Sequence, residues 1–429
     1  MKRRPFVFTS VLALMAALGL TACGSSGSGG SGSGPVSIGA MFPFSGGSAF
    51  IGQIANSAIY PCVREVNKSG GLLGHQVAVD DIDTKNDPAD ALTLAERWVA
   101  TTSNIFFILG PSTTEAPTLA PILINDKIVM LSSAGENEFD RTNLKYFWRM
   151  FPPDSENGIA MALTAKSLGI TRVAAVFGSD QGSQGDLPGA LAGIKAAGLD
   201  LVAEQSLTPD QPSYQAQVAR VLAAKPQAIF TEADPTSATT FFGEMVHQPG
   251  GSGVRIIGSQ ATVVPSWTTP VQGAVGKSLF QSLYLGVSAQ SATADPATAL
   301  FNSALNASGA SVPNPKQYIG NPYAMLGYDS CIAAALAAVD AHSYRSPVYN
   351  DFIPQITNPG PGKTVVYSYA EGVRLLKQGK KIQYVGAAGP IDFNKYHNSS
   401  GGQVAENLTS SGTLSVIKVI SFQQISRLG

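Results

Sequence analysis

The feature that most constrains the fold is an alternation of short β-branched or aromatic runs with helical patterns, begun at residue 36 and begun again near residue 146. In the first series the spacing predicts strands over 36–44, 76–84, 104–109 and 128–132, with helices over 50–67, 88–100 and 115–125 between them. Gly70 and Gly71 close the first helix, and Asp87 before Pro88 is a helix cap followed by proline in the first turn. The second series has an extended segment at 146–151 and strands at 172–177, 201–207, 228–232 and 254–259. Helices are expected over 154–168, 187–197, 214–224 and 237–247. A strand over 279–285 reads as the return to the first series, followed by helices at 295–307, 321–341, 346–357 and 366–378 and a strand-like tail at 413–422. Strand–helix–strand repeats build parallel sheets covered by helices on both faces. Two such series predict an α/β protein of two doubly wound lobes, and 429 residues are enough for both.

The first 35 residues carry a different signal. Lys2, Arg3 and Arg4 precede an apolar run over 5–20, shorter than the roughly twenty residues of a membrane span. The run ends Leu20-Thr21-Ala22-Cys23, which resembles the bacterial lipobox. That resemblance implies a signal peptide over 1–22, lipid attachment at Cys23 and a protein held on the extracytoplasmic face of the cell membrane. One acyl chain binds a bilayer marginally, whereas two or three hold it. Residues 24–34 (GSSGSGGSGSG) have no side chains to bury and read as a flexible tether spanning roughly 18 Å. Losing Lys2, Arg3 and Arg4 takes the formal charge from −1 to about −4, so no basic patch suggests nucleic acid. Cys62 and Cys331 remain as an even pair in an oxidising compartment, open to a disulfide or to two separate buried thiols. The four histidines are scattered and no CxxC or HExxH occurs, so neither a metal nor another cofactor is expected.

Several local motifs, in order, resemble one family. Residues 38–47, 67–74 (NKSGGLLG), 83–87 (DTKND), 109–113 (LGPST), 147–154 (FWRMFPPD), 328–329 (YD) and 389–394 (GPIDFN) match successive loops of the branched-chain amino-acid type of ABC-transporter substrate-binding protein. The resemblance implies the type I periplasmic-binding fold, in which two lobes joined by three crossovers close on a ligand. The boundaries expected are 36–153 plus about 286–405 for the first lobe, and 154–285 plus about 406–429 for the second. It also implies an ABC permease as partner, a small polar ligand such as an amino acid, and a monomer.

In open parallel sheets ligands bind beyond the carboxyl ends of the strands, where helix N-termini offer free N–H groups. The resemblance places the ligand carboxylate on Ser112, Thr113 and Thr114; those hydroxyls suit a plain helix cap equally. It brings Ser45 and Phe50 from the first loop, with Phe42 and Phe44 divided between pocket wall and core. Ala134 matches after the fourth strand beside Gly135, but Glu136 stands where the family carries a hydroxyl. That carboxylate either faces the cleft or turns to solvent. In the second lobe Gln184, Glu232 and Ala233 fall where aromatic residues are usual, and Gln260 replaces the acid that pairs with a ligand ammonium. The pocket is therefore expected to be more polar than the family norm. Residues 360–364 (GPGKT) end like a phosphate-binding loop but lack its first glycine. Two other classes of function remain open. A ligand-sensing subunit would use the same binding chemistry, and a hydrolase would need a nucleophile elbow, of which no GxSxG exists.

Overall fold

The computed structural model describes residues 34–142, 144–289 and 296–428. Cys23, the apolar run before it and most of the glycine–serine segment lie outside them.

The first sheet is built from β1 (Val36–Phe42), β2 (Val77–Asp83), β3 (Ile105–Leu109), β4 (Val129–Ser132) and β5 (Phe147–Arg149), connected through α1 (Ala49–Lys68), α2 (Pro88–Thr101) and α3 (Ala116–Asn125). Its order is β2-β1-β3-β4-β5 and every pairing is parallel. The chain then crosses into α4 (Asp154–Ser167), β6 (Arg172–Gly178), α5 (Gln181–Ala197), β7 (Asp200–Leu207), α6 (Gln215–Ala223), β8 (Ala228–Glu232), α7 (Pro235–Val246), β9 (Arg255–Gly258), α8 (Pro265–Val275), α9 (Lys277–Leu283) and β10 (Tyr284–Ala289). It returns to the first lobe with α10 (Pro296–Asn306), α11 (Pro322–Asp340), α12 (Ser346–Tyr349), α13 (Ile353–Thr357), β11 (Thr364–Val366), α14 (Tyr369–Leu376), β12 (Ile382–Gly386), β13 (Gly389–Pro390), β14 (Asp392–Phe393) and β15 (Ser399–Ser400). Finally β16 (Gln403–Leu408), β17 (Leu414–Ile420) and α15 (Phe422–Ser426) complete the second lobe. The second sheet runs β17-β16-β10-β9-β8-β6-β7. Five of its strands are parallel; the hairpin β16–β17 adds antiparallel to β10.

The alternation read from the sequence is thus present in both lobes, and several details differ. The strand expected at 279–285 is α9 followed by β10, because Leu279, Phe280 and Leu283 recur at helical spacing against the second lobe's core. β10 belongs to the second sheet up to Ala289, and β16 re-enters it at Gln403. The single helix expected at 346–357 is two short ones separated by a 3-10 turn at Asn350–Phe352. The helix expected from 366 begins at Tyr369, after the short strand β11.

α11 is long and apolar enough to cross a membrane by composition, but its residues are buried inside the first lobe. It packs along α1, and Cys62 and Cys331 join the two helices in a disulfide, Cα–Cα 6.3 Å, across a sequence separation of 269. Asp329, on the same helix, is fully buried. It accepts from Tyr384 Oη (3.0 Å) and from the backbone N–H groups of Ala387 and Ala388 (both 2.7 Å). Residues 360–364 form a turn in which Lys363 Nζ donates to carbonyls of Gln355 and Asn358 at the end of α13.

Helices α4 and α5 approach unusually closely, and glycine makes this possible. A Cβ on Gly158 would lie 2.0 Å from the backbone of Gly189, and one on Gly193 would lie 2.3 Å from Gly158 O. This packing sets the N-termini of α4 and α5 side by side, with Asp154 opening one and Asp186 in the first turns of the other.

Candidate functional site

Where the two sets of strand ends meet, the structure gathers carboxyl groups. The anchor is Arg149 at the end of β5, only 1% exposed. Its Nε donates to Ala134 O (2.8 Å), its Nη2 to Gly135 O, and its Nη1 to Asp140 Oδ1 (2.7 Å). The guanidinium therefore fixes the loop after β4 and presents Glu136 to the second lobe. Asp154 N donates to Gly135 O (2.9 Å), and a Cβ on Gly135 would sit 2.0 Å from Asp154 Oδ1, so only glycine admits the aspartate there.

Asp154 is buried. Its Oδ1 accepts from Gln260 Nε2 (3.1 Å), and Gln260 N donates to Asn157 Oδ1 (3.3 Å). Asn157 in turn donates to Val287 O (2.9 Å) and Gln403 Oε1 (3.0 Å), which ties the start of α4 to β10 and β16. Asp186 is 8% exposed and lies within hydrogen-bonding reach of both Asp154 and Glu232. Glu232, at the end of β8, accepts from Ser259 Oγ. From the first lobe, Tyr323 at the start of α11 faces these three acids, its ring against Phe151 at 4.7 Å.

Burial in a crowded site shifts the equilibria of these groups. Burial, reinforced by Asp154, pushes the Glu136 carboxyl up to about 8, with Arg149 opposing. Burial and then the Glu232 charge push Asp154 up to about 7. Asp186 is raised well above the ordinary carboxylate range by burial and then by Asp154 and Glu232. Burial and Asp140 carry Glu156 up to about 8. The common cause is desolvation, which disfavours the charged form, with like charges adding to it. Both carboxylate oxygens of Glu136, Oδ1 of Asp186 and Oε2 of Glu156 are buried without a hydrogen-bond partner. Among the described residues no group of His, Cys, Asp or Glu has the arrangement of a metal site.

Of the residues singled out in the sequence, Ala134, Gly135, Glu136, Glu232 and Gln260 meet here. Glu136 faces the second lobe, since its Cγ lies 3.7 Å from where a Cβ of Gly185 would be. The others are placed differently. Ser112 gives both its N–H (3.1 Å) and its hydroxyl to Glu115, which also accepts from Thr84 Oγ1 (2.5 Å). The protein's own buried carboxylate therefore already takes the Ser112 groups expected to hold an anion ahead of α3. Thr113 and Thr114 are half-buried in the same loop. Gln184 is exposed, and its amide folds back to donate to Gly178 O (2.6 Å), so it does not enter the site. Ala233 is packed in the second lobe's core, its carbonyl accepting from Trp267 Nε1 (2.9 Å). Ser45 is exposed and its hydroxyl is committed to Asp83 (2.5 Å). Phe50 is 48% exposed, Phe42 lies in the first lobe's core and Phe44 packs against it. Sequence reading did not single out Arg149, Asp154, Asp186 or Tyr323 for the site. The signal available was an acid near the start of two successive second-lobe helices.

A model of the periplasmic binding protein family matches residues 35–395. The chain belongs to that family. The binding protein is 24% identical over 405 residues, 88% of each chain, to the chemotactic signal transduction system substrate-binding protein BasB of Halobacterium salinarum. It is 26% identical over 200 residues to the Leu/Ile/Val-binding protein BraC3 of Rhizobium johnstonii, 46% of this chain and 53% of that one. Among solved structures, the leucine binding protein LivK of Thermotoga maritima superposes with a TM-score of 0.68 at 19% identity, covering 90% of this chain and 99% of that one. A solute binding protein of an ABC transporter from Rhodopseudomonas palustris in complex with p-hydroxybenzoic acid gives 0.70 at 16% identity, covering 92% and 99%. The two-lobed fold of the binding protein is thus that of solute-binding proteins, while its acidic lining is read from its own residues.

Proposed function

We propose that the protein captures a small polar solute between its lobes, outside the cytoplasm, and delivers it to an ABC importer. The observation that carries this reading is the set of buried carboxylate oxygens at the lobe junction, both of Glu136 and Oδ1 of Asp186 foremost, that accept no hydrogen bond from the protein. Buried polar groups are almost always satisfied, so unpaired ones at a hinged junction mark where a ligand completes the bonding. Relatives named for leucine, isoleucine and valine make an amino acid or related compound the default class. BasB is named for a chemotactic system, whereas solved structures of the same fold are named as substrate-binding proteins of transporters, and this favours transport over sensing. We further propose that residues 24–34 tether the body to a lipid on Cys23. Intact mass of membrane-extracted protein should then give a chain starting at Cys23 plus acyl mass, whereas a soluble product unaffected by Cys23→Ala refutes the anchor.

The test of the binding reading is a thermal-shift screen of amino acids, amides, amines, aromatic acids and sugars, followed by small-angle scattering with any hit. A hit should raise the melting temperature and compact the protein, and Gln260→Ala should weaken it. Binding that leaves the scattering unchanged and ignores Gln260→Ala would place the ligand elsewhere.

A further inference from the structure

We propose that the solute taken between the lobes is an organic cation, an ammonium or guanidinium with at least two N–H donors, and that it enters in exchange for protons held by the acidic cluster. This rests on reading the lobe junction as the ligand site.

The charge inventory comes first. Glu136, Glu138 and Asp140 lie on the loop after β4, Asp154 and Glu156 on α4, Asp186 on α5 and Glu232 at the end of β8. The cation acting on Glu136, Asp154 and Glu156 is Arg149, and its guanidinium is already occupied by Asp140 and two carbonyls. Facing Asp154, Asp186 and Glu232 are the phenol of Tyr323, the Gln260 amide on Asp154 and the Ser259 hydroxyl on Glu232, none of them charged. Among the described residues the site is thus short of positive charge, and its donors leave both oxygens of Glu136 and Oδ1 of Asp186 unmet.

The unpaired atoms agree with the inventory. Asp186 Oδ1 sits on a side chain more than nine-tenths buried, and both Glu136 oxygens are buried across the junction from it; none has a donor. A ligand bringing N–H groups supplies what these oxygens lack. One bringing a carboxylate adds acceptors and repulsion, and the N–H and hydroxyl of Ser112 that could hold it are taken by Glu115. A metal ion does not fit, because no group of acids here has the spacing of a coordination shell among the described residues. A polyol would supply donors but no charge, and would leave the protons in place.

Asp186 lies within hydrogen-bonding reach of both Asp154 and Glu232, an arrangement of acids that a shared proton stabilises when no counter-charge is present. A cation makes such a proton unnecessary, so binding must release it and affinity must rise with pH. The experiment is titration calorimetry on the mature chain at pH 6 and pH 8, in two buffers of different ionisation enthalpy, with putrescine, agmatine and spermidine against leucine, 4-hydroxybenzoate and myo-inositol. At least one amine should bind with proton release, its Kd tightening about tenfold per pH unit for each proton exchanged. The isosteric Asp186→Asn, checked for an unchanged fold by its melting curve, should weaken binding at least tenfold and flatten the pH slope. Failure of all three amines, or pH-independent binding of leucine, hydroxybenzoate or inositol, overturns the cation. If such a neutral or acidic ligand still closes the lobes and depends on Gln260, the junction remains the ligand site and only its class is wrong. If a bound ligand ignores Asp186→Asn, Asp154→Asn and Gln260→Ala alike, the site reading itself fails.

Discussion

The ligand-free protein should open as pH rises, and Glu136 gives the size of the effect. In the closed structure its carboxyl titrates near 8 against an ordinary value near 4.5, because burial and Asp154 disfavour the anion. The closed form therefore holds this proton more tightly than any form in which Glu136 is hydrated. Its stability relative to the open form is greatest below about 4.5 and falls as pH climbs toward 8. Integrating the linkage between pH 5 and pH 8 gives a loss of about 3 kcal/mol from this one group. A hinge can hydrate Glu136 without unfolding either lobe, so the loss is expected as opening rather than denaturation. Small-angle scattering at the two pH values reads it directly. Wild type should be compact at pH 5 and expanded at pH 8, and Glu136→Gln, which keeps the neutral shape at every pH, should shift the opening upward or abolish it. The reasoning is refuted if wild type has the same radius of gyration at both values, or if the glutamine variant tracks it throughout.

Other outcomes follow from packing and covalent structure. Replacing Cys62 and Cys331 together by alanine removes a cross-link over a sequence separation of 269. Chain entropy sets an upper figure of about 5 kcal/mol, and denaturant unfolding should show a loss of about 2–5 kcal/mol that reducing agent reproduces in wild type. Gly158→Ala puts a Cβ into the backbone of Gly189. It should cost about 2–3 kcal/mol in thermal unfolding and also weaken ligand binding, because it parts the helices that carry Asp154 and Asp186. Asp329→Ala strands Tyr384 Oη and two backbone N–H groups in the first lobe's core. A loss of about 3 kcal/mol or more is expected, while a drop below 1 kcal/mol would mean that water replaces the carboxylate.

Much of this molecule is legible in its sequence because its signals are local. Strand and helix periods, the proline after Asp87 and the even cysteine pair all act over short spans or by counting. Glu136 and Gln260 were visible for a similar reason: each follows a readable strand, where the resemblance expects a hydroxyl and an acid respectively. The centre of the site was not visible, because it is assembled at long range. Asp154 reads as an ordinary helix start until Gly158, Gly189 and Gly193 let α4 and α5 close together and bring Asp186 beside it. Arg149 reads as one residue of an edge strand until the loop after β4 folds over it. Ser112 illustrates the converse. Its type and position suit an anion, yet Glu115, three residues on, is the anion it holds. The misread strand at 279–285 fell where a short amphipathic helix and a strand adjoin, and neither is long enough for its period to dominate.

The bond between Cys62 and Cys331 also dictates an order of events. Its two ends lie in neighbouring helices of one lobe, but the whole parallel part of the other sheet, β6 to β10, is strung between them. As the chain emerges, α1 must wait for its partner until those five strands have been made. The parallel part of the second lobe can form as an inserted loop while the first is still incomplete, and β16 and β17 join it only after Cys331 has been made. The same topology makes the finished molecule tolerant of damage. A single backbone cut anywhere in that loop leaves both fragments covalently joined, and they separate only when the sulfurs are reduced.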